Sequence, residues 1–217
     1  GIWRTTNAGS SWSRVYSGMG TVMAMSPSGG RWIWSSYNSS GTLYFARSTD
    51  GVNWSTSSLS NTENVYGIDI TDSGVVCVAI QREMWRSTDG GNTFTKVLDI
   101  GSQGNWRSVK TDNDGTWLAK HNYAGLYKST DNGLTWSTQT HYGEVDKIYY
   151  GGGVWLSHSG GLGCYSVDGG NTWLGTASGS QNVYELNEPA WNPNDGQWWS
   201  MKRNDRSVTM MGAVTND

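Results

Sequence analysis

The residues of this chain whose types could do chemistry are a scatter of carboxylates, three imidazoles and a set of aromatic rings. Hydrolysis of a glycoside needs two carboxyl groups roughly 5–10 Å apart across a cleft. Glu63, Glu83, Glu144, Asp146, Glu185 and Asp205 are carboxylates outside any repeated motif, and their spacing specifies no pair. His121, His141 and His158 are donors of the kind that bind zinc or copper. None forms a close-spaced pair such as His-x-x-x-His, so neither a metal nor any other cofactor is expected. Sugar binding asks for less, namely an aromatic face with a few amide, carboxylate and guanidinium hydrogen bonds in a shallow site. Trp106, Tyr66, Tyr123, Tyr142 and Tyr184 supply rings among Asn, Gln and Arg neighbours.

A second group of acidic residues belongs to a repeat. Met84-Trp85-Arg86-Ser87-Thr88-Asp89-Gly90-Gly91-Asn92-Thr93-Phe94 returns as Leu126 to Trp136 and as Cys164 to Trp173. Ala46 to Trp54 is a copy with a loop one residue shorter, and Ile2 to Trp12 carries Asn in place of Asp. The repeated acid or amide is Asn7, Asp50, Asp89, Asp131 or Asp168. Each sits in a short loop between two strands, where backbone amides lack ladder partners. A carboxylate there accepts from those amides and closes the loop on itself. Gly9, Gly91, Gly133 and Gly170 follow two residues later and supply positive φ. These five positions are therefore expected to be structural.

The Ser-x-Asp-x-Gly-x-Thr-Trp string resembles the Asp-box, or bacterial neuraminidase repeat, of the sialidase-like superfamily. Phage and environmental Asp-box proteins and the photosystem II assembly-factor family carry similar strings. The resemblance implies a β-propeller with its boxes on the face away from the working face. It does not imply a true sialidase. That activity also calls for an arginine cluster and a Phe/Tyr-Arg-Ile-Pro stretch, whereas Pro27, Pro189 and Pro193 do not follow Arg-Ile. Arg4, Arg47 and Arg86 occupy box strands, with Lys128 in their place at the next copy.

The repeated positions 7, 50, 89, 131 and 168 stand 43, 39, 42 and 37 residues apart. Periods near 40 with several short strands each are the mark of a propeller. A first strand follows each box strand, at Thr21–Met25, Val65–Ile70, Trp106–Thr111, Val145–Tyr150 and Val183–Leu186. Its central apolar positions align as Ala24, Ile68, Val109, Ile148 and Leu186. A second strand aligns Trp32, Val76, Trp117, Trp155 and Trp198. Of the 14 tryptophans, only Trp34, Trp106, Trp191 and Trp199 fall outside repeat positions. The expected fold is all-β, a single domain over residues 1–217. It is a five-bladed propeller of four-stranded antiparallel blades closed by both termini, the alternative being a fragment of a six- or seven-bladed ring. One strand is left over in the closing blade. Cys77 and Cys164 are expected as buried free thiols.

Net charge is −3 and charged residues make up 15%, which gives no electrostatic footprint for nucleic acid. No run of 18 apolar residues is present, so no membrane insertion is expected. The chain begins with Gly rather than Met, which suggests a fragment or processed chain. On the face opposite the boxes, the fourth-to-first and second-to-third connections gather the unusual residues, including Arg82, Arg203 and Arg206. The ligand-binding set expected there is Trp106, Arg107, His121, Tyr123, His141, Tyr142, Glu144, Asp146 and Tyr184, with Trp106 as an aromatic platform. The function expected is non-catalytic binding of a glycan or polysaccharide, as in the receptor-binding part of a phage tail or another extracellular protein. The alternatives are a xyloglucanase-like glycoside hydrolase and a protein-binding scaffold or assembly factor.

Overall fold

The computed structural model describes residues 1–18, 20–36, 41–101, 104–140, 147–159, 162–175, 186–202 and 208–211, and these contain no helix. β1 (Ile2–Arg4) and β2 (Ser13–Tyr16) form a two-stranded antiparallel sheet. Four four-stranded meanders follow. The first is β3 (Val22–Met25), β4 (Trp32–Ser35), β5 (Thr42–Ser48) and β6 (Ser55–Ser60). The second is β7 (Val65–Ile70), β8 (Val76–Ile80), β9 (Glu83–Ser87) and β10 (Thr95–Asp99). The third is β11 (Trp106–Thr111), β12 (Trp117–His121), β13 (Gly125–Ser129) and β14 (Ser137–Gln139). The fourth is β15 (Lys147–Gly151), β16 (Val154–Ser159), β17 (Leu162–Ser166) and β18 (Leu174–Gly175). β19 (Leu186–Asn192), β20 (Gln197–Lys202) and β21 (Val208–Met211) end the chain as a three-stranded sheet.

The first strands touch one another in sequence, β3 against β7, β7 against β11, β11 against β15 and β15 against β19. They line the inside of an arc, and the fourth strands lie outermost. Burial follows that order: every residue of β8 and β12 is buried, while β6 and β10 are mostly exposed. A second strand has a neighbouring sheet on each face, so it reads as continuously apolar rather than alternating. The core is a series of layers between sheets. Ile33 and Phe45 meet Ile68, Ile70 and Val78; Cys77 and Met84 meet Trp106, Val109 and Trp117; Leu118 and Leu126 meet Ile148, Trp155 and Trp173. Cys77 and Cys164 are buried and free.

The box loops are cemented to one another. Arg47 Nη2 donates to Asn92 Oδ1 at 3.0 Å, Arg86 Nε to the Asn132 carbonyl at 2.7 Å, and Lys128 Nζ to Asn171 Oδ1 at 2.7 Å. The basic residue of these three box strands thus reaches the box loop of the next sheet. The second box glycine completes the joint. A Cβ at Gly133 would lie 2.4 Å from Cys77 Sγ, and one at Gly170 would lie 2.8 Å from Leu118 Cδ1. Only a glycine lets the loop lie flat on the preceding sheet. Box loops also bond the first turn of their own sheet, Gly90 N to Gly74 O at 2.9 Å and Asn132 N to Gly115 O at 3.0 Å.

The ends of the chain bear on the expected ring closure. Among the described residues, β1–β2 and β19–β21 are separate sheets. Two strands and three strands make five, one more than a four-stranded blade holds. Of the last expected first strand, Val183 to Glu185 lie outside the described residues, and β19 continues from Leu186 to Asn192. β19 pairs Trp191 with Trp198, as Tyr150 pairs Trp155 one sheet earlier, with a register shift between Asn187 and Ala190. The Trp191 indole covers Gly151 and Gly152, where a Cβ would come within 2.3 and 2.4 Å.

Candidate functional site

The connections opposite the boxes are tied into a continuous rim by backbone hydrogen bonds. Gln81 N donates to Asn64 O at 3.3 Å, Trp106 N to Gln81 O at 3.0 Å, Ile100 N to Arg82 O at 3.2 Å, and Asn122 N to Asn105 O at 3.0 Å. Two groups of side chains stand on this rim.

The first is the corner around Trp106. The indole is 0% exposed, so it offers no face to a ligand, and the expected aromatic platform is corrected on this point. Its ring packs edge-on against His121 and Tyr127, each with centroids 5.4 Å away. His121 is also fully buried. Its Nδ1 accepts from the amides of Ala124 at 3.0 Å and Tyr123 at 3.3 Å, which places the ring proton on Nε2. Burial lowers the imidazole pKa, opposed by the Gly104 backbone and assisted by the charge of Lys120, so the ring is held neutral. His121 and Trp106 therefore act as the footing of the β12–β13 turn, whose Tyr123 projects with 77% exposure. Arg107 is exposed beside Trp106.

The second group lines a cleft of about 340 Å³ between the sheets β3–β6 and β7–β10. Asn61, Thr62, Glu63, Gln81, Arg82 and Glu83 form its walls. Glu83 accepts from Lys96 Nζ at 2.9 Å, Trp85 Nε1 at 2.8 Å and Asn61 Nδ2 at 3.1 Å. Burial alone would raise its pKa, but these donors and the lysine charge outweigh it and hold the carboxyl below its usual range. With its amide nitrogen turned inward, Gln81 donates to Glu63 Oε2 at 2.6 Å and Oε1 at 3.0 Å. Gln81 has φ of 45°, a left-handed conformation in the two-residue β8–β9 turn. A residue with a Cβ is strained there by about 1–2 kcal/mol, and such strain gathers at working sites.

Of the expected ligand-binding set, His141, Tyr142, Glu144, Asp146 and Tyr184 lie outside the described residues, as do Glu185, Arg203, Asp205 and Arg206. Trp106, Arg107, His121 and Tyr123 are brought to one corner. Tyr66 packs against the buried cluster around Trp106. His158 pairs its backbone with Lys147 and Gly163. No group of three or more His, Cys, Asp or Glu side chains converges as a metal site among the described residues. The Gln81–Glu63 cleft was missed as a unit, although Glu63, Arg82 and Glu83 are recognisable as loop-face residues. The one local signal is a tight turn, Gln81-Arg82, that lacks the glycine or asparagine such turns favour.

No protein-family model matches the chain, and no curated protein matches it in sequence. Solved structures do match in fold. A GH74 xyloglucanase from Xanthomonas campestris aligns with a TM-score of 0.68 at 13% identity, over 96% of this chain and 40% of that one. An ancestral GH74 enzyme aligns at 0.65 and 17% identity, over 100% of this chain and 32% of that one. YCF48 bound to a D1 peptide aligns at 0.59 and 18% identity, over 84% of this chain and 61% of that one. The chain thus spans less than two thirds of the length of each. Together with the radial series of four-stranded antiparallel sheets, this likeness defines the fold class as a β-propeller.

Proposed function

We propose that this propeller arc is a non-catalytic glycan-binding module whose ligand lies on the loop face opposite the boxes. The observation that carries the reading is the cleft around Gln81. It is polar, about 340 Å³ in volume, and walled by amide, hydroxyl, carboxylate and guanidinium groups. Its strained glutamine ties the rim through its backbone and orients Glu63 through its side chain. Sites of this kind read hydroxyl patterns through fixed donors and acceptors. Tyr123, one sheet further along the same rim, adds an exposed ring for a second sugar of the same chain. A virion-surface or other extracellular setting suits such a module.

A hydrolase needs one carboxyl that carries a proton near neutral pH. Glu83, with three donors on its carboxylate, is kept ionised and does not fit that role. A glycan array on the wild-type chain, repeated with Gln81→Ala and Tyr123→Ala, tests the proposal. Binding that weakens at least tenfold in the folded Gln81→Ala variant is expected. Turnover of an oligosaccharide abolished by Glu63→Gln would replace it with the hydrolase reading. Absence of glycan binding, together with capture of a defined peptide on the same rim, would replace it with the scaffold reading.

A further inference from the structure

The box face has a cleft of its own, between the sheets β3–β6 and β7–β10, with a volume of about 320 Å³. Arg31, Arg47, Asn53, Trp54, Asp89 and Gly90 are among the residues lining it. We propose that this cleft is a second ligand site, specific for the anionic group of an acidic sugar.

Arg47 holds the box-strand position that Arg86 and Lys128 hold in the next two sheets, and its Nη2 is fixed to Asn92. Arg31 has no basic counterpart. The residue before the second strand is Val75 and Thr116 in the next two sheets. The repeat therefore does not require a guanidinium at Arg31. Its Nε is pinned to the Asp72 carbonyl at 2.9 Å, which aims the Nη groups across the cleft mouth. A Cβ at Gly90 would lie 3.7 Å from Arg31 Nη1, and one at Gly91 would lie 3.4 Å from Arg47 Cδ. The Arg31 guanidinium and the Arg47 side chain thus both lie against the glycine pair of the neighbouring box.

Neither cation is paired. Among the described residues, no carboxylate lies within salt-bridge range of Arg31 or Arg47. Asp89 is the carboxylate of the cleft, and its oxygens are taken by the amides of Asn92 and Thr93 and the hydroxyls of Ser87 and Thr93. Two guanidiniums against this one charge leave the cleft with a net positive side-chain charge, which favours a planar or tetrahedral oxyanion. The remaining wall selects what carries the anion. Trp54 and Trp32 supply apolar surface, and Asn53, Thr49 and Ser55 supply polar groups at the edge. A cleft at the small end of the range for organic ligands holds one sugar ring rather than a bare ion. A uronic acid or a sulfated sugar within a polysaccharide meets both requirements.

The test is calorimetric titration of the wild-type chain with an oligogalacturonate, a sulfated oligosaccharide of matched length, a neutral oligosaccharide and inorganic sulfate. Binding of at least one acidic oligosaccharide is expected, at least tenfold tighter than of the neutral one or of sulfate, and weakened by added salt. Arg31→Gln should lower that affinity at least tenfold with an unchanged melting temperature. Arg31→Lys should recover part of it. Arg86→Gln, the same box register one sheet further on, should leave it unchanged. Equal affinity for acidic and neutral oligosaccharides, binding of inorganic sulfate alone, or undiminished acidic binding by folded Arg31→Gln would overturn the proposal.

Discussion

The two faces of this arc use the same polar residue types in opposite ways. On the box face each box acid is satisfied within its own loop. Asp131 takes the amides of Leu134 and Thr135 at 3.1 and 2.9 Å and the hydroxyls of Ser129 and Thr135 at 2.7 and 2.6 Å. Asp168 repeats the pattern, and Asp50 in the shorter loop takes Val52, Asn53 and Ser48 instead. Asn7 performs the same closure with its amide oxygen accepting from Ser11 N at 2.9 Å. On the loop face Glu83 is held by Asn61 and Lys96 as well as by its neighbour Trp85, and Glu63 by Gln81. A carboxylate saturated by neighbours within four residues stabilises a loop, whereas one held across a sheet boundary shapes a surface. The lesson is that the box acids and the pair Glu63 and Glu83 differ in how far along the chain their donors lie.

That contrast is open to attack by mutation, and the largest effects belong to the box face. Gly133→Ala places a methyl against Cys77 and a Cβ at φ of 77°. It should destabilise by about 2–4 kcal/mol, summing overpacking and left-handed strain, as read from chemical denaturation. Asp131→Ala leaves the Leu134 and Thr135 amides without their acceptor and should cost about 1–3 kcal/mol. Glycan binding per folded molecule should stay unchanged, and a variant with normal melting but lost binding would break the comparison.

A pH titration of stability separates the faces without mutation. Burial would raise the Asp89, Asp131 and Asp168 carboxyls, but their hydrogen bonds prevail and hold each at about 2, below the ordinary 3.8. Their contribution is complete above about pH 4 and is lost as pH falls toward 2. His121 is depressed from 6.5 by burial. The unfolded chain binds its proton first, so the stability linked to His121 is complete above 6.5 and falls below it. A first loss of stability as pH falls below 6.5 that disappears in His121→Gln, followed by a second below pH 4, is the expected profile. The smallest effect on stability belongs to Tyr123→Ala. Its ring is exposed, so the melting temperature should shift by no more than about 0.5 kcal/mol of stability implies, while glycan affinity falls.

Much of this architecture is present in the sequence because each box is a local device. Asp89 and its donors lie between Ser87 and Thr93, so composition and spacing suffice to place the loop, the flanking strands and the period of the sheets. First strands at Val65–Ile70 and Trp106–Thr111 are legible for the same reason, being short apolar runs between turn residues. What the local string does not contain is the partner in the next sheet. Whether Trp106 shows its face or covers His121, which residue of the last sheet packs on Gly151, and that Gln81 bends back to hold Glu63 are set by contacts between blades. The pairing of the terminal strands is a matter of the same kind. Two strands at one end and three at the other look complementary in sequence, yet hydrogen bonding between them depends on how far the arc has turned when it meets itself. That curvature accumulates from every sheet-to-sheet packing angle, and no single repeat encodes it.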